Sequence, residues 1–342
     1  MISKKPIRIL SIDGGGIFGL VPLIILQFIE KYTQKSICDF FDYISGTSSG
    51  GIIALALSCP DEKGKPLYST SDILSLFQKK APMIFQKSLV HKILCHIPLL
   101  NKFYSLFFPK YCEAGAEKVF KNTFHNTTLS QSLCHTFVST YALTKPESHL
   151  YVFSSPEVKK SVQKGKADFL IRDIAFATSA APTFFPPRYI RCLYKNAPPY
   201  TIPYAFIDGA VAMNNMSLFL YAYARKKHPN RPIHILSLGI RQKPINIKKS
   251  YCKRMGIVSW LKKITCFIPH SQTSSHQAVL KQLISQSPHK DIYERIQPPY
   301  GIFLEEFDNI SRTHMQKILD VGKKTLQKNK DRILCFIHQK DE

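Results

Sequence analysis

The chain has 342 residues, 44% of them hydrophobic, enough to bury a full core as one large domain or two modest ones, and it does not have the composition of a disordered tail. Lysine and arginine number 47 against 23 acidic residues, a formal net charge of +24, so an anionic partner is expected, in general terms nucleic acid or an anionic membrane surface. The nine cysteines are odd in number, scattered, and form no Cys-x-x-Cys pair, which argues against a disulfide scaffold or a zinc site and fits a reducing compartment.

The start, Met-Ile-Ser-Lys-Lys-Pro-Ile-Arg, runs directly into an apolar strand over residues 6–12, which argues against a secretory signal. Asp13-Gly14-Gly15-Gly16-Ile17-Phe18-Gly19 follows, then an apolar helix over residues 20–35. A glycine loop between strand and helix brings backbone N–H groups close to a negative charge, either a phosphate or the oxyanion of an attacked ester. The loop formally satisfies the dinucleotide fingerprint Gly-x-Gly-x-x-Gly, but no acidic residue stands at a ribose-binding strand end unless Asp39 or Asp42 serves.

A second short apolar run leads into Gly46-Thr47-Ser48-Ser49-Gly50 and an apolar helix beginning near Gly51. A serine that must project its hydroxyl from a sharp strand-to-helix turn needs neighbours without bulk two residues to either side, the role of Gly46 and Gly50, so Ser48 reads as a nucleophile. Residues 43–60 are uncharged but hold four serines and three glycines around this turn, so no transmembrane segment is read there.

Residues 79–110 contain six lysines and no acidic residue, interleaved with apolar side chains such as Phe85, Leu94 and Phe107. Two readings stand: a pair of core helices with lysines on the wet side, or a lid facing a membrane, where each lysine contributes about 1 kcal/mol against anionic lipid. Strands are expected over 136–143 and 150–153, a small-residue helix over 174–182 ended by Pro182, a strand over 205–207, a buried strand over 233–239 and a terminal amphipathic helix over 315–328. The 205–207 strand delivers Asp208 into Gly209-Ala210, and the next 81 positions, 210–290, hold no carboxylate. Asp208 is therefore either a catalytic group at a strand end or a turn residue bonding its own backbone.

Four motifs, in order, resemble the patatin-like phospholipase family: Asp13-Gly14-Gly15-Gly16, Gly46-Thr47-Ser48-Ser49-Gly50, Ala177-Thr178-Ser179-Ala180-Ala181-Pro182, and Asp208-Gly209-Ala210 followed by Asn214-Asn215. Pro109-Lys110-Tyr111 and Leu236-Ser237-Leu238-Gly239 also look like family segments. The resemblance implies a three-layer α/β/α fold with a central, mostly parallel sheet in a single domain, core about 7–326, and a C-terminal helical segment over about 305–342. It implies a Ser-Asp dyad with Ser48 as nucleophile and Asp208 as base, Gly14, Gly15 and Gly16 as the oxyanion loop, and no metal or other cofactor. Together with the charge it makes membrane phospholipid the first-choice substrate, an anionic membrane surface the expected partner, and the cytoplasm and membrane periphery the expected location. An unknown protein activator stays open, and bacterial members of the family include toxins delivered into other cells. Specific nucleic-acid binding lacks any recognition helix or RNA-binding signature to focus it. A triad using Ser48, Asp208 and one of His234, His270, His276, His314 or His338 is the near rival, and a weakly catalytic lipid- or partner-binding member of the fold is another.

Three departures from the family pattern stand out. Phe18 occupies the place of the usual arginine, so no fixed positive charge is expected beside the glycine loop. Met216 replaces a proline after the paired asparagines, and Ile240-Arg241 replaces a threonine-glycine pair.

Overall fold

A computed structural model describes residues 5–87, 107–143, 147–193, 204–240, 256–299 and 306–339. The strands are β1 (Ile7–Ile12), β2 (Tyr43–Thr47), β3 (His135–Leu143), β4 (His149–Ser154), β5 (Arg188–Ile190), β6 (Tyr204–Asp208), β7 (Ile233–Leu238) and β8 (Ile292–Ile296). In β1, Ile7 and Ile9 join one apolar cluster while Leu10 and Ile12 join another; in β7, Ile233 and Ile235 divide from Leu236 and Leu238 in the same way. Apolar residues on both faces at period two require cover on both sides.

Helices supply that cover: α1 (Leu20–Thr33), α2 (Ile37–Phe40), α3 (Ser49–Leu57), α4 (Thr70–Ile84), α5 (Glu113–Phe124), α6 (Ser155–Gln163), α7 (Ile171–Ser179), α8 (Ser217–Lys227), α9 (Ile257–Ser285) and α10 (Arg312–His338). Leu26 of α1, Ile53 of α3, Phe120 of α5, Phe176 of α7 and Phe336 of α10 pack on one face. Leu220 of α8 and Leu280 of α9 pack on the other. This is the three-layer α/β/α arrangement that the resemblance implies.

The sheet is mixed, with a parallel run in the order β3, β2, β1, β7, β8 and antiparallel strands at the β3 side. Phe137–Ala142 of β3 pair with β4 along one edge. The opposite edge is shared. His135–Ser139 pair with β2 running parallel, and Thr140–Leu143 pair with β6 running antiparallel. β2 and β6 therefore run toward each other and end on consecutive residues of β3: Thr47 lies opposite Ser139, and Asp208 opposite Thr140.

The expected strands form, with ends shifted by a residue or two. The terminal helix is longer than its periodicity indicates, because Ser311 caps it early and Gly322 lets it approach α1 so closely that a Cβ there would lie 2.4 Å from Ile24 Cδ1. Within residues 79–110, the part described includes the end of α4, which packs into the domain, while residues 88–106 lie outside the described residues. Residues 43–60 form β2, the turn and α3, buried throughout apart from Ser48, Ile52 and Pro60. The one described stretch long and apolar enough to cross a membrane is Gly16–Thr33, and 61% of it is buried inside the fold.

One buried carboxylate ties the far end of the sheet. Asp291 accepts both oxygens' worth of hydrogen bonds from Arg225 Nη2 at 2.7 Å, with Tyr221 Oη at 2.9 Å, Ser287 Oγ at 2.6 Å and the Ile233 N–H at 2.8 Å. Removing it strands a half-covered guanidinium and the first amide of β7. Asp291→Ala is expected to lower the unfolding free energy by about 3–5 kcal/mol in a denaturant titration, whereas a loss below about 1 kcal/mol would class the pair with surface ion pairs.

Candidate active site

Ser48 sits at the junction of β2 and α3 with φ +54° and ψ −125°, a conformation that a residue with a Cβ adopts only when its surroundings impose it. The surroundings are glycines. A Cβ on Gly46 would lie 2.0 Å from the Gly50 carbonyl oxygen, and one on Gly50 would lie 2.3 Å from the carbonyl oxygen of Ile12. Both turn glycines are thus places where backbones touch, as the sequence pattern expects. Thr47 Oγ1 donates to the Met213 carbonyl at 2.9 Å, tying the end of β2 to the segment that follows Asp208.

Asp208 is 3% exposed and close enough to Ser48 for the serine hydroxyl to act on its ionisation. It also accepts the Ala210 N–H at 2.8 Å, the bond to its own turn that the sequence allows. Burial pushes its pKa up to about 7, while the hydrogen bonds from Ala210 and Ser48 pull the other way; no charged side chain contributes.

The glycine loop lies against Ser48. A Cβ on Gly14 would fall 2.8 Å from Ser48 Cβ, which leaves room only for hydrogen. The three amides differ in what engages them. Gly14 N–H donates to Asn214 Oδ1 at 3.0 Å and Gly15 N–H to Ser49 Oγ at 3.2 Å, whereas Gly16 N–H meets no acceptor among the described residues. Gly16 has φ +57°, and Phe307 presses on it from the C-terminal segment, its carbonyl oxygen accepting Ile17 N–H at 2.9 Å.

A cation stands behind this loop, but its charge is paired with a carboxylate, so the expectation drawn from Phe18 is left as it was. Arg295 of β8, 8% exposed at its side chain, binds Asp13 in a fork, Nη1 to Oδ1 at 3.0 Å and Nη2 to Oδ2 at 2.5 Å. Asn215 Nδ2 donates to the same carboxylate at 2.9 Å. Phe18 itself is buried with Ile17, Leu20 and Ile318, away from the serine. Residue patterns could not reveal Arg295, since its partner is 282 positions away.

A cavity of about 420 Å³ opens at Ser48, Asp208 and the glycine loop and extends between α3, α4, α5 and α7. Ile52, Ala56, Ile73, Phe77, Val119 and Phe124 line its depth. Apart from Asp208, the one charged residue lining it among the described residues is Lys80. No histidine among the described residues lines it: His276 faces the Asn215 carbonyl at 3.5 Å and His338 the Tyr32 hydroxyl at 2.6 Å. Nor do three His, Cys, Asp or Glu side chains gather anywhere among the described residues in a way that could hold a metal. The nucleotide alternative loses its acidic residues: Asp42 precedes β2 and accepts the Arg8 N–H at 2.8 Å, and Asp39 bonds Ser36, both at the end of the strands opposite the glycine loop.

A family model described as Patatin-like phospholipase matches residues 10–218. The chain belongs to that family. It is 37% identical over 227 residues to Patatin-like protein 2 of Arabidopsis thaliana, covering 62% of this chain and 51% of the relative. It is 31% identical over 278 residues to Patatin-like protein 1 of Arabidopsis thaliana, covering 75% and 64%. The chain thus spans between half and two thirds of the length of these two patatin-like relatives. A solved structure, human GIVD cytosolic phospholipase A2, aligns with a TM-score of 0.44 at 10% identity over 97% of this chain and 60% of that one.

The raised Asp208 carboxyl has a consequence for the whole fold. The native state keeps this proton to about pH 7, while the unfolded chain releases it near the ordinary carboxylate value, so the folded state binds more protons in between and stability falls as pH rises through that window. Asp208→Asn removes this contribution. The variant is expected to be more stable than the parent at about pH 8 and to lose that advantage at about pH 4, read by thermal melts; identical pH dependence in the two proteins would show that Asp208 ionises freely.

Proposed function

We propose that the chain is a lipid acyl hydrolase of phospholipase A type that cleaves fatty acyl esters through an acyl-enzyme on Ser48. The observation that carries this reading is Ser48 set beside a buried carboxylate, Asp208, at the head of an apolar cavity. In its ionised form Asp208 accepts the Ser48 proton as Oγ attacks the acyl carbonyl, and the protonated Asp208 then returns it to the departing alcohol. Water, deprotonated by the same carboxylate, attacks the acyl-enzyme, releasing the fatty acid and restoring Ser48. A base with a pKa near neutrality suits this exchange better than an ordinary aspartate.

Gly16 N–H is the open donor for the oxyanion, and Gly15 N–H joins it when the Ser49 hydroxyl turns aside. Gly14, held by Asn214, shapes the cradle from below. The free amides at the start of α3 add positive potential.

Lys80 supports a phosphate-bearing substrate. On α4 the cavity is lined by Ile73, Leu76, Phe77, Lys80, Ala81 and Ile84, one helix face on which Lys80 breaks an otherwise apolar stripe. It forms no ion pair among the described residues and stays exposed at its end, the posture of a cation available to a headgroup. Exposed Phe267, next to the cavity-lining Ile268, and the net charge of +24 favour an anionic membrane as the place of work.

Purified protein added to phospholipid vesicles is expected to release fatty acid and lysolipid in equal amounts, and Ser48→Ala or Asp208→Asn to reduce release by roughly a thousandfold or more with the fold intact by circular dichroism. Full release by either variant rejects the reading. Lys80→Gln is expected to lower kcat/KM for phospholipid roughly tenfold relative to p-nitrophenyl butyrate, the loss of one charge-assisted contact; an equal effect on both esters would remove Lys80 from headgroup recognition.

A further inference from the structure

The motif Ala177-Thr178-Ser179-Ala180 contributes no group to the reaction above, yet its turn holds both reacting residues by their main chains. Thr178 is fully buried; its Oγ1 accepts the Ser48 N–H at 2.8 Å and donates to the Ser139 carbonyl at 2.8 Å. Two residues on, the Ala180 carbonyl accepts the Asp208 N–H at 3.0 Å. Ser139 is the β3 residue opposite Thr47, and its neighbour Thr140 lies opposite Asp208. The end of α7 therefore bridges the gap where β2 stops and β6 stops, with one grip on each.

The Ala180 grip is main chain to main chain. The Thr178 grip is a side-chain hydroxyl acting as donor and acceptor at once, and it is tightly seated: a Cβ on Gly51 would lie 3.0 Å from both Thr178 Oγ1 and Cγ2. Ser48 needs such a grip, because its positive φ is held by its surroundings rather than by its own preference. Without the hydroxyl, the Ser48 amide and the Ser139 carbonyl both lose their partner in a buried place.

We infer that Thr178 is a positioning residue for the hydrolase, its hydroxyl fixing where Ser48 stands relative to Asp208. The inference rests on the proposed Ser48 and Asp208 roles. A hydroxyl is required, a methyl is not, so serine replaces threonine and alanine does not.

The comparison is Thr178→Ser against Thr178→Ala, two variants that lose the same methyl and differ only in the hydroxyl, assayed on p-nitrophenyl butyrate across pH, with active sites counted by fluorophosphonate labelling of Ser48. Per labelled site, Thr178→Ser is expected to stay within about threefold of the parent, and Thr178→Ala to lose roughly a hundredfold in kcat with little change in KM, the scale of a small misplacement of a reacting group. The acid limb of the Thr178→Ala profile is expected to move to higher pH, because a misplaced Ser48 no longer lowers the Asp208 pKa through its hydrogen bond. Loss of packing alone would lower the melting temperature and the number of labelled sites but leave that limb in place. Should Thr178→Ala fail to fold, Thr178→Val, which keeps the volume, makes the same comparison. Equal kcat per site and equal limbs in the serine and hydroxyl-free variants overturn the inference while leaving the hydrolase reading intact. A parent protein with no turnover sensitive to Ser48→Ala removes both.

Discussion

Two strands that end head to head on consecutive residues of a third set the geometry of this molecule. β2 arrives on β3 from one direction and β6 from the other, so the residues that leave their ends, Ser48 and Asp208, emerge at one point of the sheet. In a wholly parallel sheet neighbouring strand ends sit side by side, about 4.8 Å apart per strand, and groups meet across a crevice. Here an antiparallel strand shares an edge with a parallel one, and the meeting is end on. The bonds around it, Thr47 to Met213, Ser139 to Met213 and Thr178 to Ser139, join the three strands and the following turn into one rigid knot.

Burial does two things at this point. It raises the Asp208 pKa toward neutrality, and it places the serine against a cavity that no other carboxylate lines among the described residues. The strongly basic surface and the apolar cavity are thus separate properties. The charge is a property of the whole chain, whereas Ser48 and the buried Asp208 carboxylate lie against a mostly apolar lining, where polar contacts are stronger than in water. Lys80 stands where the two meet.

The glycine loop is held from behind by groups far along the chain. Arg295 grips Asp13 from β8, and Arg332 of α10 reaches back to the Arg295 carbonyl at 3.1 Å, so the C-terminal helix supports the loop through one intermediary. On its outer side Phe307 touches Gly16, and the next residue, Asp308, accepts a hydrogen bond from Tyr111 at 2.7 Å and pairs with Lys110. The Pro109-Lys110-Tyr111 segment, which reads as a family signature, therefore anchors the wall of the cavity rather than reacting within it.

Much of this was legible from residue order. Glycines two places either side of Ser48 and the glycine run after the first strand follow from local sterics, while Asp208 was legible only as a carboxylate at a strand end; the positive φ of Ser48 and the close approaches at Gly46 and Gly50 are the physical form of the glycine pattern. The apolar runs of β1 and β7 read as strands, while cover on both faces of the sheet was what the resemblance implied and the packing shows. α4, α5 and α9 were not legible, since Pro82 and Pro269 stand inside two of them and the partners that stabilise them lie elsewhere in the chain. Only the tertiary structure decided that Arg295 grips Asp13 behind the loop, that Gly14 is engaged by Asn214 while Gly16 meets no acceptor among the described residues, and that Thr178 holds the serine amide. Those pairings depend on distance in space between residues more than a hundred positions apart, and no local preference of the chain encodes which strand ends will meet.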